Sequence, residues 1–190
     1  RLVGSEMCIR DSPVRAAEIA TKARRSLGVG FIGLAHYLAK QGVKYDDPKA
    51  WQLIHDLTES FQYNLLKATV NLAKEKGACE YSDNTKYSHG ILPIDTYKKD
   101  VDELVPNNLK CDWESLREEV KEYGVRNSTL SAQMPSESSS VVCNATNGIE
   151  PPRGYLSVKK SKKGPLKQIV PSYNTLKNLS LIHISEPTRR

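Results

Sequence analysis

Cysteine is scarce in this chain, four in 190 residues, and no two form a Cys-x-x-Cys pair. That spacing argues against a disulfide framework, a zinc site and a dithiol redox pair. Reduced thiols are the simpler account, and with them a cytoplasmic location. No apolar run reaches the length of a membrane crossing, and no signal-peptide pattern remains once residues 1–12 are set aside. Aromatic side chains are few, at 7%. None is interleaved in the densest basic patch, Lys159, Lys160, Lys162, Lys163 and Lys167, so a solvated hairpin tip is expected there and no nucleic-acid partner. The formal charge of +6 suits anionic small molecules. Asp95, Asp100, Asp102 and Glu103 lack the spacing of a cation loop and read as solvated acids beside Lys98 and Lys99, so no metal site is expected. The sequons at Asn127, Asn144 and Asn178 carry little meaning without a secretory signal.

Both ends read as something other than folded protein. Arg1–Ser12 (RLVGSEMCIRDS) and Leu179–Arg190 (LSLIHISEPTRR) resemble a sequencing-library transposase adapter translated in opposite orientations. Met7-Cys8-Ile9-Arg10-Asp11 can be encoded by ATGTGTATAAGAGAC. Its reverse complement, read one frame over, gives Ser180-Leu181-Ile182-His183. With both ends excluded as scars, residues 13–178 remain as one domain of ordinary size, and Arg1 in place of an initiator methionine leads us to expect a longer natural protein. Cys8 and His183 leave with the ends. Cys79, Cys111 and Cys143 stay, widely spaced and without an assigned role.

The chain is organised around Ser128–Arg153. Ser128–Met134 alternates, with Leu130, Ala132 and Met134 on one side, and predicts a short strand. Pro135 stops it, and Ser136-Glu137-Ser138-Ser139-Ser140 leads into the apolar Val141-Val142-Cys143, a helix-start signal. Such a start has unpaired N–H groups and the positive end of the helix dipole, so it attracts an anion. Its four hydroxyls add donors suited to phosphate oxygens. Asn144–Arg153, rich in Asn, Gly and Pro, predicts a loop folding back over that helix. A well-capped helix with no ligand meets the same spacing.

Elsewhere, the pattern predicts helices over Pro13–Arg25, Phe31–Lys40, Pro48–Lys76 and Trp113–Tyr123. Gly28-Val29-Gly30-Phe31-Ile32-Gly33 is a literal G-x-G-x-x-G, but no buried strand precedes it and no acid stands at the ribose position. Its glycines read as close-packing positions. The long helix carries an apolar stripe through Trp51, Ile54, Leu57, Phe61, Leu65, Ala68, Leu72 and Ala73, with Asp56 and Glu59 expected mostly elsewhere. His36 and His55 read as surface or core-edge residues. Gly77–Asn108 predicts long loops with one helical turn near Thr96–Leu104, and Asp112 an N-cap. Gly154–Lys160 and Pro165–Val170 predict a β-hairpin.

Three stretches in the same order resemble the catalytic (large, alpha) subunit of bacterial class I ribonucleoside-diphosphate reductase: Arg24-Arg25-Ser26-Leu27-Gly28-Val29-Gly30, Gly90-Ile91-Leu92-Pro93-Ile94-Asp95-Thr96-Tyr97-Lys98-Lys99-Asp100, and RNSTLSAQMPSESSSVVCNATNGIEPPRGYLSVK from Arg126. The resemblance implies part of a ten-stranded α/β barrel and the reduction of ribonucleoside diphosphates by radical chemistry. The family's P-S-E-T-S pattern for the substrate diphosphate maps onto Pro135, Ser136, Glu137, Ser138 and Ser139, with Ser138 in place of Thr. Glu137 suits this site if its carboxylate turns aside to cap N–H groups or meet a sugar hydroxyl. No catalytic residue is carried over, since the family's reacting cysteines lie in motifs this chain does not contain. The implied partners are a radical-generating small subunit, which holds the radical cofactor, a second large subunit, and thioredoxin or glutaredoxin. By itself this stretch is expected to be inactive. A free-standing phosphate-binding module and a purely structural helix cap are the competing readings, and neither explains the other two motifs.

Overall fold

A computed structural model of the chain describes residues 14–152, 154–161 and 164–176. The two ends read as adapter, the Lys162-Lys163 tip and the sequon at Asn178 lie outside those residues. Described in chain order, the elements are α1 (Arg15–Arg24), α2 (Leu34–Lys40), α3 (Pro48–Lys76), α4 (Trp113–Tyr123), α5 (Glu137–Val142), β1 (Leu156–Ser161), β2 (Gly164–Ile169) and the single turn α6 (Tyr173–Leu176). Two compact units draw on discontinuous stretches, residues 14–29 with 56–132, and residues 30–55 with 133–176.

The first unit is built on a closed apolar core of Leu66, Val70, Leu92, Trp113, Leu116, Val120, Val125 and Leu130. Its buried α3 positions are Glu59, Leu66, Thr69, Val70 and Ala73. The core face therefore shares Ala73 with the expected stripe but otherwise lies beside it: Leu65 and Leu72 are only half-buried and Ala68 is exposed. Hydropathy misplaced it because a charged residue belongs to the buried face. Oε1 of Glu59 accepts the N–H groups of Lys110 (2.8 Å) and Cys111 (2.9 Å) and Nε1–H of Trp113 (3.1 Å). Three donors replace water on that carboxylate, which makes its burial tolerable.

Asp112 caps α4 as expected, accepting the Ser115 N–H at 3.0 Å, and Gly124 ends that helix at φ 67°. Between α3 and α4 the loops contain four 3-10 turns, at Ser82–Asn84, Lys86–His89, Pro93–Asp95 and Lys99–Glu103, rather than one. Asp95 is exposed as expected, but its partner is an arginine far along the chain and not the neighbouring lysines. It receives Arg117 through both oxygens (2.6 and 3.0 Å) and the Leu92 N–H at 2.7 Å, while Arg117 also holds the Gly90 carbonyl and Glu114. These contacts, the Arg117 hydrogen bond foremost, hold the Asp95 carboxyl below its usual range. Asn127 is buried, bonded to Thr69 and to the Arg25 carbonyl, so its sequon is not presented to solvent.

The strand expected over Ser128–Met134 shrinks to one isolated parallel bridge, Val29 with Ser131. Val29 donates to the Leu130 carbonyl (2.9 Å) and accepts from the Ala132 N–H (3.1 Å). Here a Cβ on Gly28 would stand 3.2 Å from that of Ala132, so this glycine does serve close packing. A single parallel contact does not sustain a ladder, because parallel pairs depend on neighbours on both sides.

In the second unit α2 begins at Leu34 rather than Phe31. Gly33, at φ 83°, turns the chain into the helix, and Phe31 is held instead by the side chain of Gln133. Gly42 ends α2 as expected, at φ 71°. The hairpin forms, shifted by a residue or two, with Leu156 opposite Ile169 and Ser161 opposite Gly164.

Candidate functional site

All five predicted site residues belong to the second unit. Pro135 is exposed, Ser136 half-buried, and Glu137, Ser138 and Ser139 are exposed at the first turn of α5. The first intrahelical bond runs from the Ser140 N–H to the Ser136 carbonyl at 2.8 Å, so the amides of Glu137, Ser138 and Ser139 precede it. Among the described residues no side chain caps this start; Ser136, at the cap position, makes no capping bond. Ser136 Oγ donates to the Met134 carbonyl at 3.1 Å. Ser140 Oγ donates to the Glu137 carbonyl at 3.0 Å and is buried. Of the four expected hydroxyl donors, these two are used within the chain, whereas Ser138 and Ser139 face outward.

The covering loop is fastened from Asn144 to Ile149. Asn144, at φ 48°, takes the left-handed place after the helix, and the bonds Asn144 N–H to Val141 O (3.2 Å) and Ala145 N–H to Ser140 O (2.8 Å) close a Schellman motif. Asparagine stands there because its short polar side chain tolerates that backbone better than other non-glycine residues. The Thr146 carbonyl accepts the Gly33 N–H (3.0 Å), and that of Gly148 accepts the Leu34 N–H (3.3 Å). Oδ1 of Asn147 accepts the Ser136 N–H at 2.8 Å. Tyr45 donates its hydroxyl to the Ile149 carbonyl at 2.8 Å, and burial pushes that phenol up to about 12, so it remains a donor at neutral pH. Composition predicted the loop, but Asn147 and Tyr45 as its fasteners were missed, since nothing local in the sequence marks a carboxamide or a phenol as a long-range partner.

An open cavity of about 1000 Å³ adjoins this arrangement. It is lined by Glu137 and Ser138 of α5, by Thr146 and Asn147 of the loop, and by hairpin residues such as Val158 and Leu166; Pro135, Ser136 and Ser139 are not in its wall. The three cysteines are unbridged, and burial holds the Cys79 and Cys111 thiols above their usual range, Cys111 also through Glu59. Neither is an activated nucleophile. His36 shares a 2.9 Å hydrogen bond with Ser172, and burial, with Lys40 nearby, lowers its pKa. Among the described residues no three His, Cys, Asp or Glu come together as metal ligands, and no helix is long and apolar enough to cross a membrane.

Comparison with known proteins places these features in a family. The model of the ribonucleotide reductase barrel domain matches residues 2–187. Ribonucleoside-diphosphate reductase subunit alpha of Haemophilus influenzae is 60% identical over 167 residues, covering 88% of this chain and 22% of that protein. Ribonucleoside-diphosphate reductase 1 subunit alpha of Escherichia coli is 56% identical, with the same 88% and 22% covered. A more distant relative, subunit alpha of Helicobacter pylori, is 31% identical over 92% of this chain and 22% of its own length. The chain thus spans about a fifth of the length of the curated relatives it matches. It belongs to the ribonucleotide reductase barrel-domain family.

Proposed function

We propose that this chain is part of the catalytic subunit of a ribonucleoside-diphosphate reductase and holds the diphosphate of its substrate at the start of α5. The intact enzyme would reduce ribonucleoside diphosphates to 2′-deoxyribonucleoside diphosphates by radical chemistry. Family membership supports the reductase reading, as do relatives named for that activity over nearly the whole of this chain. One observation carries the site: the first turn of α5 has no side-chain cap, and Ser138 and Ser139 stand exposed beside its leading amides. Ser138 and Ser139 would meet phosphate oxygens through N–H and hydroxyl groups, Pro135 and Ser136 would shape the approach, and Glu137 would turn its carboxylate toward N–H groups or a sugar hydroxyl.

The rest follows from the same resemblance. The pairing of Val29 with Ser131 is read as two neighbouring strands of a ten-stranded α/β barrel. Partners of the intact enzyme would be a radical-generating small subunit, a second large subunit, and thioredoxin or glutaredoxin, in the cytoplasm. The radical cofactor would sit in the small subunit, so no residue here is assigned to it, and none of Cys79, Cys111 and Cys143 is given a catalytic role. Residues 1–12 and 179–190 are left outside this reading as adapter translation. Sequencing the locus outward past Pro13 and Asn178 should replace both adapter strings with continuous coding sequence.

Ser139→Asp in the intact large subunit tests the site. A carboxylate beside the leading amides repels the diphosphate, and KM for a ribonucleoside diphosphate should rise by about a hundredfold or more. An unchanged KM would remove Ser138 and Ser139 from the substrate site.

A further inference from the structure

We propose that Asn147 is a positioning residue for the diphosphate-binding segment, setting where the donors of α5 begin; this rests on the substrate reading above. Its Oδ1 takes the Ser136 N–H at 2.8 Å, the amide immediately ahead of the helix. That amide is therefore committed to the loop, and its tie fixes the origin from which Glu137, Ser138 and Ser139 wind. Asn147 is itself held. The Thr146 and Gly148 carbonyls on either side are fastened to Gly33 and Leu34, its own carbonyl accepts the Glu150 N–H at 3.1 Å, and Tyr45 fixes Ile149. An acceptor on a loop pinned this way keeps one orientation, so little is left to reorganise when ligand arrives.

A second observation in the same loop points to a ligand. Thr146 is only 7% exposed, and its Oγ1 has no hydrogen-bond partner among the described residues. It lines the cavity shared by Glu137, Ser138 and Asn147. Buried hydroxyls are ordinarily paired, and one left over against a cavity wall suits a polar guest. Asn147 also suits an anion in a way Asp would not. Both side chains offer an oxygen to Ser136, but only the carboxamide does so without adding negative charge next to a diphosphate.

The test uses the intact reductase, large subunit with its radical-generating partner, and reads KM, kcat and melting temperature with a ribonucleoside diphosphate. Asn147→Ala should raise KM on the order of tenfold, with a smaller change in kcat. Asn147→Asp keeps the acceptor, so its melting temperature should stay near the parent's. Its KM should still rise at least as far, and the rise should shrink with added salt. Asn147→Asp restoring both melting temperature and KM would make Asn147 a structural residue and overturn the proposal. So would a KM within about twofold of the parent in both variants while Ser139→Asp weakens binding. If Ser139→Asp is also without effect, the substrate reading fails and takes this inference with it. Should Asn147→Ala not fold, the salt-dependent KM of Asn147→Asp decides.

Discussion

The unit of residues 14–29 with 56–132 is held by a closed apolar core, whereas that of residues 30–55 with 133–176 relies, around its site, on hydrogen bonds through a loop. In the first, even the polar groups are sealed in: Glu59 takes three donors, and Asn127 is paired with Thr69. In the second, Val142 is 85% exposed, and Leu156, Val158 and Ile169 show half or more of their surface on the hairpin. Interior packing resists change at every methylene, whereas a hydrogen-bonded loop can hold a binding segment in place and leave its donors facing out. The apolar core and the proposed binding segment thus lie in different stretches of one chain.

That contrast can be broken most forcefully at Trp113. Its ring packs edge-on against Tyr63 at 5.3 Å and its Nε1–H serves Glu59. Trp113→Ala should destabilise by about 3–5 kcal/mol, read by urea denaturation followed through helical circular dichroism. A loss no larger than that of a surface substitution would mean the core does not carry the first unit.

Arg117 sharpens the comparison at intermediate scale. Arg117→Ala removes the grip on Asp95, Glu114 and the Gly90 carbonyl and should cost about 1–2 kcal/mol, the low end for charged hydrogen bonds because Asp95 keeps part of its surface in water. The sign with pH follows from the lowered Asp95 value. Its contribution is fully present above the ordinary 3.8 and is lost as pH falls through the lower folded value. The gap between parent and variant should therefore hold at neutral pH and close in acid. A gap that widens in acid would contradict the pairing.

The smallest effect belongs to the hairpin. Val158 is 53% exposed, and Val158→Thr should change stability by less than about 0.5 kcal/mol in the same titration. A loss comparable to that of Trp113→Ala would show that the hairpin belongs to a core after all, and the contrast would fail.

Much of the architecture was readable from local chemistry. The boundaries of α3 and α4, the Asp112 cap, the Gly42, Gly77 and Gly124 terminations and the hairpin follow from caps, turn residues and periodicity, all of which act within a few residues. The start of α5 after Pro135 and the loop after Cys143 were equally plain. Other features were not readable because they depend on partners far along the chain. Leu65 and Leu66 are alike in hydropathy, so only packing decides which is buried. Asp95 looks like any acid beside lysines until Arg117 is brought to it. Ser128–Met134 alternates as a strand should, yet alternation says nothing about whether neighbours lie alongside.

By itself the sequence determined where most of the helices begin and end and which segment turns back, because these are set by backbone sterics and short-range hydrogen bonding. Through its motifs it also determined the family. Only the tertiary structure decided that Glu59 is buried, that Gln133 holds Phe31, and that Asn147 and Tyr45 brace the loop. Each is a bond between groups distant in sequence, whose cost and gain exist only once the chain has brought them within about 3 Å.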